Sequence, residues 1–311
     1  MMPDVSRPPQ VTLTQLRYFV EAARQLSMTR AADELHVAQS AVSAAVSQLE
    51  RQVGTPLFLR QHARGLVLTA AGEELLHDVR GLLAHLGEVL DAARGRGEDV
   101  RGTIRLAFFV TLVPFILPDL LVELRDRHPH LEVEVLELEA AAVSEALRSG
   151  TAEVALCYDL GLGPGIESTA IADAPPYILL PPGHRLVAEK AIDLRDLDGE
   201  PMVLLDLPHS RDYFRDIFAG VGVEPEIVLR TSSYEAVRGL VARGHGFSML
   251  NQRPRHDATY GGGEVVCRPI TDEVRALQVV TARMAVGRPT ARARAVTDAA
   301  RDVIARGLQS T

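Results

Sequence analysis

The spacing of apolar residues changes near residue 100, and this change limits the possible folds more than any other feature. From Thr12 to about Ala71 apolar positions recur every three to four residues and proline is scarce, which is a helical period. From Thr103 onward, short apolar runs alternate with helical stretches. The runs TIRLAFF, LEVEVLEL, EVALCY, YILLP, MVLLD, EIVLR, FSML and LQVVTA read as strands. Helices are expected near 114–127, 141–149, 210–219, 233–243 and 290–307. Such alternation builds α/β layers with mainly parallel sheets. Between the two regimes, residues 69–94 read as one long helix, and GRGEDVRG (95–102) as a linker of glycine and charge. The first nine residues, rich in proline, read as a disordered arm.

Composition places the chain among ordinary globular proteins. It has 311 residues, 47% hydrophobic and 24% charged, which excludes a disordered chain and a disulfide-stapled mini-protein. No apolar run reaches the roughly 18 residues of a membrane span, and the opening MMPDVSRPPQ lacks the layout of a signal peptide. Cys157 and Cys267 stand far apart without partners at metal-ligand spacing, so a cytoplasmic location is expected. Net charge is −8, yet residues 1–71 carry seven Arg against five acidic residues. A mildly basic head on an acidic body suits a small module that meets phosphate.

The head divides into pieces with distinct faces. In TLTQLRYFVEAARQL, Leu16, Phe19, Val20, Ala23 and Leu26 share one side. Thr29 is placed to cap RAADEL, whose Ala31, Ala32 and Leu35 point inward. After the turn HVA (36–38), QSAVSAAVSQLERQV (39–53) sets Val42, Val46, Leu49 and Val53 on one face and Gln39, Ser40, Ser43 and Ser47 on the other. A short helix, a tight turn and a helix with small polar outer residues is a helix-turn-helix layout. The same spacing suits a plain three-helix bundle with solvated serines, and spacing alone does not separate the two. The following LVLT, with Gly65 before it, suggests a hairpin wing with Arg64 at its tip, and Arg60 is placed for a phosphate.

The stretch LTQLRYFVEAARQLSMTRAADELHVAQSAVSAAVSQLERQVGTPLFLR, with RGLVLTAAG after it, resembles the N-terminal module of LysR-type transcriptional regulators over about 60 residues without gaps. The resemblance implies phosphate contacts for Thr29 and Arg30, base contacts for Gln39, Ser40 and Ser43, and a wing contact for Arg64. The sequence departs from the family where Ala38 replaces a capping Ser, Ser40 a Pro, and Ala44 an Arg. In the next helix Leu75, Val79, Leu82, Leu86, Val89 and Ala93 are spaced 4, 3, 4, 3, 4, a heptad seam. Such a seam packs on its own domain or on a second copy. A linker helix has little of its own domain to cover, which favours the homodimer, and the family commonly forms homotetramers.

The body carries no GxSxG, HExxH, P-loop or clustered Cys/His set, and GLGPGI (161–166) reads as a loop. His184, His209 and His245 fall in turn-like contexts. No catalytic residue, metal or cofactor is expected. Instead GTIRLAFFVTLVPFILPDLLVELRDRHPHLEVEV, ALRSGTAEVAL and VRGLVARGHGFSMLN resemble the effector-binding part of the same regulators, similar in fold to periplasmic solute-binding proteins. The implied fold is α+β overall: a winged helix-turn-helix at 10–70, a dimerisation helix at 71–95, a hinge at 96–102, and a two-lobed α/β effector-binding domain at 103–311. Lobe 1 spans about 103–173 and 276–311, lobe 2 about 174–275. Ligands of such sheets lie beyond the strand ends. The candidates there are Thr111, Tyr158, Asp159, Asp206, Ser210, Arg211, Tyr213, Thr231, Ser232 and Asn251. The Ser, Thr, Asp and Asn residues among them are also expected at caps and turns. The expected protein is a LysR-type regulator of promoter DNA, answering to a small-molecule effector. The alternative is a solute-binding protein or enzyme with an accessory helical head.

Overall fold

The computed structural model describes residues 10–61, 65–93, 100–285 and 288–309. The expected arm at 1–9 and most of the glycine-and-charge linker lie outside them. Two compact units emerge, one from the head and its long helix, one from the body.

In the head, α1 (Leu13–Gln25) opens on a capping box. The Thr12 hydroxyl accepts from the Gln15 amide at 3.2 Å, and the Gln15 side chain accepts from the Thr12 amide at 2.8 Å. Phe19, Ala22 and Ala23 face inward. The helix ends at Leu26, whose left-handed backbone (φ 45°) turns its side chain outward, so Leu26 leaves the face its spacing suggested. The next helix, α2 (Met28–Leu35), is capped by Ser27 and not by Thr29. The Ser27 hydroxyl accepts from the Arg30 amide at 3.3 Å, which moves the helix start one residue ahead of Thr29. His36, also left-handed, closes α2 and lets α3 (Gln39–Val53) follow after three residues.

On α3 the residues Val42, Val46 and Leu49 are buried, while Val53 is 43% exposed. The helix stops there at Gly54, φ 79°, one turn beyond the core. The Glu50 carboxylate accepts from the amides of Leu57 and Phe58, tying α3 to an antiparallel hairpin of β1 (Phe58–Gln61) and β2 (Gly65–Leu68). The Thr69 hydroxyl then donates to the Pro56 carbonyl and accepts from the Gly72 amide, anchoring α4 (Ala70–Ala93). Leu76 and Val79 of α4 complete the head's core, with Leu75 and Leu83 beside them.

In the body, a five-stranded sheet has the order β4-β3-β5-β12-β6. Its strands are β3 (Gly102–Phe109), β4 (Leu131–Leu138), β5 (Val154–Tyr158), β6 (Ile166–Ala174) and β12 (Leu277–Met284). Helices α5 (Val113–Arg127), α6 (Ala140–Arg148) and α9 (Ala291–Gln309) complete this lobe. The second lobe pairs β7 (Tyr177–Leu180) with β10 (Ser248–Leu250) and β11 (Val266–Pro269), and β8 (Pro201–Leu205) with β9 (Glu226–Thr231). A bridge between Met202 and Phe247 joins the two groups, and α7 (Pro208–Gly220) and α8 (Tyr234–Ala242) follow β8 and β9. The chain crosses between lobes at 174–177 and returns at 270–277.

The sheets are mixed rather than mainly parallel. Parallel pairing holds for β3 with β4 and β5 and for β8 with β9, but β12 runs against β5 and β6, and β10 and β11 against β7. A strand that returns from the other lobe re-enters the sheet from the opposite end. Two strands, β6 and β11, were not expected from the sequence. The residues of β6, IESTAIADA, are mostly exposed on the sheet edge, and backbone pairing with β12 rather than apolar alternation makes it a strand.

Candidate functional site

The outer side of α3 is the first candidate. Gln39, Ser40, Ala44 and Gln48 are exposed, Ser43 and Ser47 are half-buried at its margin, and the valines are inside. Thr29 and Arg30 are exposed at the start of α2, and Arg30 Nη2 donates to the Gln25 carbonyl at 2.6 Å. The α3 N-terminus has no side-chain cap, because Ala38 lacks a hydroxyl. Its unpaired amides therefore remain at the end of the helix that carries Gln39 and Ser40, where a phosphate oxygen is favourable. Arg60 lies on β1. Arg64 lies outside the described residues.

The heptad seam of α4 divides in two. Val79 is 4% exposed and belongs to the head's core, with Leu75 packed against it. Beyond them Leu82 is 52% and Val89 50% exposed, Leu86 is half-buried, and Leu90 is exposed next to Val89. Only the latter half offers an apolar face that its own unit leaves uncovered.

The third candidate is a small cleft in the body, open to solvent. Thr111, in the turn after β3, and Tyr158, the last residue of β5, line it from the first lobe. Leu205, Ser210 and Phe214 line it around the β8–α7 junction, and Tyr234, Leu250, Asn251 and Gln252 from α8 and the end of β10. Four of the ten expected residues therefore converge: Thr111, Tyr158, Ser210 and Asn251. Tyr213 joins them indirectly, since Asn251 Nδ2 donates to its hydroxyl at 3.3 Å and to the Ala174 carbonyl at 2.8 Å. Tyr213 in turn donates to the Arg275 carbonyl at 2.7 Å. One side-chain pair thus holds both crossings between the lobes.

The other expected residues are engaged elsewhere. Arg211 pairs with Asp206 at 3.3 Å, and Arg230 approaches the same carboxylate at 3.7 Å. The Thr231 hydroxyl accepts from the Ser233 amide, and Ser233 is the cap of α8. Ser232 is exposed, and Asp159 half-buried beyond β5; neither lines the cleft.

The ten expected residues do not include Tyr234, Tyr177 or Gln252. The hydroxyls of Tyr177 and Tyr234 lie 3.1 Å apart, and both donate to the Gln252 carbonyl. Burial pushes the Tyr234 phenol up to about 12 and raises those of Tyr158, Tyr177 and Tyr213, so all four remain protonated donors. Four of the chain's six tyrosines gather here. Even spacing could not have shown this, because they come from four separate elements. Both cysteines are free and buried, and burial raises their thiols, to about 12 for Cys157 and about 11 for Cys267. Among the described residues no cluster of metal-ligating side chains occurs, and no helix is long and apolar enough to cross a membrane.

Known proteins show the same two-part organisation. Residues 13–73 match the family model described as bacterial regulatory helix-turn-helix protein, lysR family, and residues 97–305 match the LysR substrate binding domain. The Hca operon transcriptional activator HcaR of Escherichia coli is 31% identical over 273 residues, covering 87% of this chain and 90% of that protein. The crystal structure of HinK, a LysR family transcriptional regulator from Pseudomonas aeruginosa, is similar with a TM-score of 0.64 at 33% identity, covering 94% of this chain and 98% of that one. Full-length CbnR, solved with target DNA, has a TM-score of 0.54 at 26% identity, covering 94% and 99%. With a head and a body that each match, in this order and over most of their length, the chain belongs to the LysR family of transcriptional regulators.

Proposed function

We propose that this regulator acts in the cytoplasm as a homodimer or homotetramer on promoter DNA, with α3 in the major groove, and that its body is a sensor of a small molecule and not an enzyme. The observation that carries this reading is the orientation of α3: its valines are buried, and Gln39 and Ser40 stand outward beside an uncapped helix start. Thr29, Arg30 and Arg60 would meet phosphates, Gln39, Ser40 and Ser43 base edges, with Ser47 at the margin and Arg64 reaching from the wing. The CbnR structure, which contains DNA, supports this placement by likeness. A ligand at Thr111, Tyr158, Ser210 and Asn251 would touch both lobes. It would shift the heads only through different affinity for two arrangements of the body.

Gln39→Ala is expected to weaken binding to an operator fragment about tenfold, the effect of one lost base contact. Arg30→Ala should weaken all sequences alike and lower the slope of log affinity against log salt by about one. Fluorescence anisotropy over a salt series measures both. Unchanged affinity in the two variants together would remove α3 and the start of α2 from the interface.

The exposed half of the α4 seam would hold two copies together through Leu82, Leu86 and Val89. Replacing Leu82 and Leu86 by Asp is expected to convert the dimer to monomer in sedimentation velocity, because two carboxylates cannot be desolvated against an apolar partner. A dimer that survives both changes would place the interface elsewhere. Paired heads also set the half-site spacing, one helical turn or a multiple of it.

A further inference from the structure

The cleft lies between two lobes that are tied together mainly by the crossings at 174–177 and 270–277. Among the described residues, no helix or strand of one lobe packs extensively against the other. Two contacts nevertheless span the gap. Phe115, the third residue of α5 in the first lobe, meets Tyr234, the first residue of α8 in the second, edge-on. Their ring centroids are 5.4 Å apart and their planes stand at 82°. The Tyr158 hydroxyl, from the first lobe, lies beside the Gln252 side chain of the second.

Tyr234 is the better anchored of the two rings. Its hydroxyl donates to the Gln252 carbonyl and lies 3.1 Å from the Tyr177 hydroxyl, which donates to the same carbonyl at 2.9 Å. Tyr177 stands at the end of the first crossing. The ring that meets Phe115 is therefore held from its own lobe and from the crossing at once. Phe115 is half-buried, in the first turn of α5, four residues beyond the cleft residue Thr111. No hydrogen bond joins the two rings, so they can separate without stranding a polar group, and the Tyr234 hydroxyl keeps its acceptor.

With both contacts made, the cleft is nearly full. The free space inside it is about 10 Å³, room for about one water and not for an organic molecule. A ligand at Thr111, Tyr158, Ser210 and Asn251 must therefore part the lobes to enter. The Asn251–Tyr213 pair is tied to both crossings and stays with them. The contact left to yield is the one between Phe115 and Tyr234.

Resting on the effector reading above, we propose that Phe115 and Tyr234 form a latch that holds the lobes shut over the cleft, and that a ligand is registered by parting it. The shut arrangement is then the ligand-free one, and the ligand acts through its greater affinity for the parted one.

Hydroxyl-radical footprinting of the full chain, read residue by residue by mass spectrometry, tests the latch without any ligand. Tyr158 and Phe214, cleft residues that are 4% and 2% exposed, are compared with the fully buried Phe108 and Phe247 and with the exposed Tyr260. Phe115→Ala and Phe115→Leu are both expected to raise oxidation of Tyr158 and Phe214 by about two- to tenfold, the equilibrium effect of losing one edge-on ring pair. Phe108 and Phe247 should not change. Affinity for an operator fragment should move by about threefold or more, in the same direction in both variants. Leucine fills most of the space of phenylalanine but has no ring edge, so a rise with alanine that leucine abolishes marks a hole in the packing and overturns the latch. A rise at Phe108 and Phe247 as well reports general loosening and overturns it too. An unchanged footprint in both variants overturns the latch alone and leaves the effector reading standing. If both variants open the cleft yet bind operator as the wild type does, the lobes send no signal to the heads, and the effector reading falls with the proposal.

Discussion

Gly72→Ala is expected to destabilise the head by about 2 kcal/mol, whereas the same change at Gly81 and Gly87 of the same helix should stabilise it. Alanine in a helix interior is favoured over glycine by about 1 kcal/mol. At Gly81 and Gly87 a new Cβ meets nothing within 4 Å, so that preference acts alone. At Gly72 the Cβ would lie 2.1 Å from the Leu57 carbonyl oxygen and 3.0 Å from a Leu68 methyl. A backbone oxygen cannot rotate away, so α4 must shift off the hairpin, and overpacking of this kind costs about 1–3 kcal/mol. The upper end applies, because Leu57 O also accepts the Thr69 amide at 3.0 Å and is held in place. Urea unfolding followed by circular dichroism measures all three variants. Equal shifts in one direction for Gly72 and Gly81 would mean that α4 does not press on the hairpin. Operator affinity should fall with Gly72→Ala, since the hairpin that α4 anchors also holds α3 through Glu50.

Arg238→Ala is expected to cost the body about 3 kcal/mol. Its guanidinium is 1% exposed, sits 3.1 Å from Glu235, and donates to the carbonyls of His256 and Ala258 at 3.3 and 2.8 Å. Removing one partner of a buried ion pair leaves the rest desolvated and unpaired, an effect of about 3–5 kcal/mol. The lower end applies because Glu235 is 24% exposed and water replaces part of what it loses. The loss should concentrate on the segment 253–264. There Glu235 also accepts the Tyr260 amide, and Arg243 donates to the Gly261 carbonyl. Hydrogen exchange should show those amides opening before the β3–β5 sheet does. Protection that falls uniformly across the body would show that Arg238 acts on global stability and does not fasten this loop. Arg238→Met restores the packed volume but no donor, so it should recover only a minor part of the loss.

The helices of the head were legible because each carries its own local instruction. Thr12 with Gln15 starts α1, the period of Val42, Val46 and Leu49 defines α3, and Gly54 ends it. The errors there were also local. Leu26 and His36 adopt left-handed backbones that no periodicity announces, and this moved Leu26 outward and the cap of α2 to Ser27. In the body, apolar runs showed the strands whose faces are buried. They did not show β6, which is a strand through its pairing with β12 while most of its side chains are exposed.

The cleft was partly legible. Thr111, Tyr158, Ser210 and Asn251 could be named because strand ends beside helix starts are recognisable from one sequence. Asp206 and Arg211 looked equally suitable, and only the fold shows that they bind each other. Tyr158 and Tyr213 could be named at a strand end and a helix start, but nothing in the sequence says that Tyr177 and Tyr234 gather with them.

The sequence alone determined what short-range chemistry controls, namely the helical head with its polar outer face, the seam on the linker helix and the alternating body. Caps, periods and turns act over a few residues, and such interactions can be read directly from the order of the chain. Tertiary structure alone decided which half of that seam remains open, which charges are already neutralised, and that the cleft is aromatic. The cleft and the open half of the seam depend on contacts between residues tens of positions apart, and even the Asp206–Arg211 pair, five residues apart, depends on how the β8–α7 junction turns.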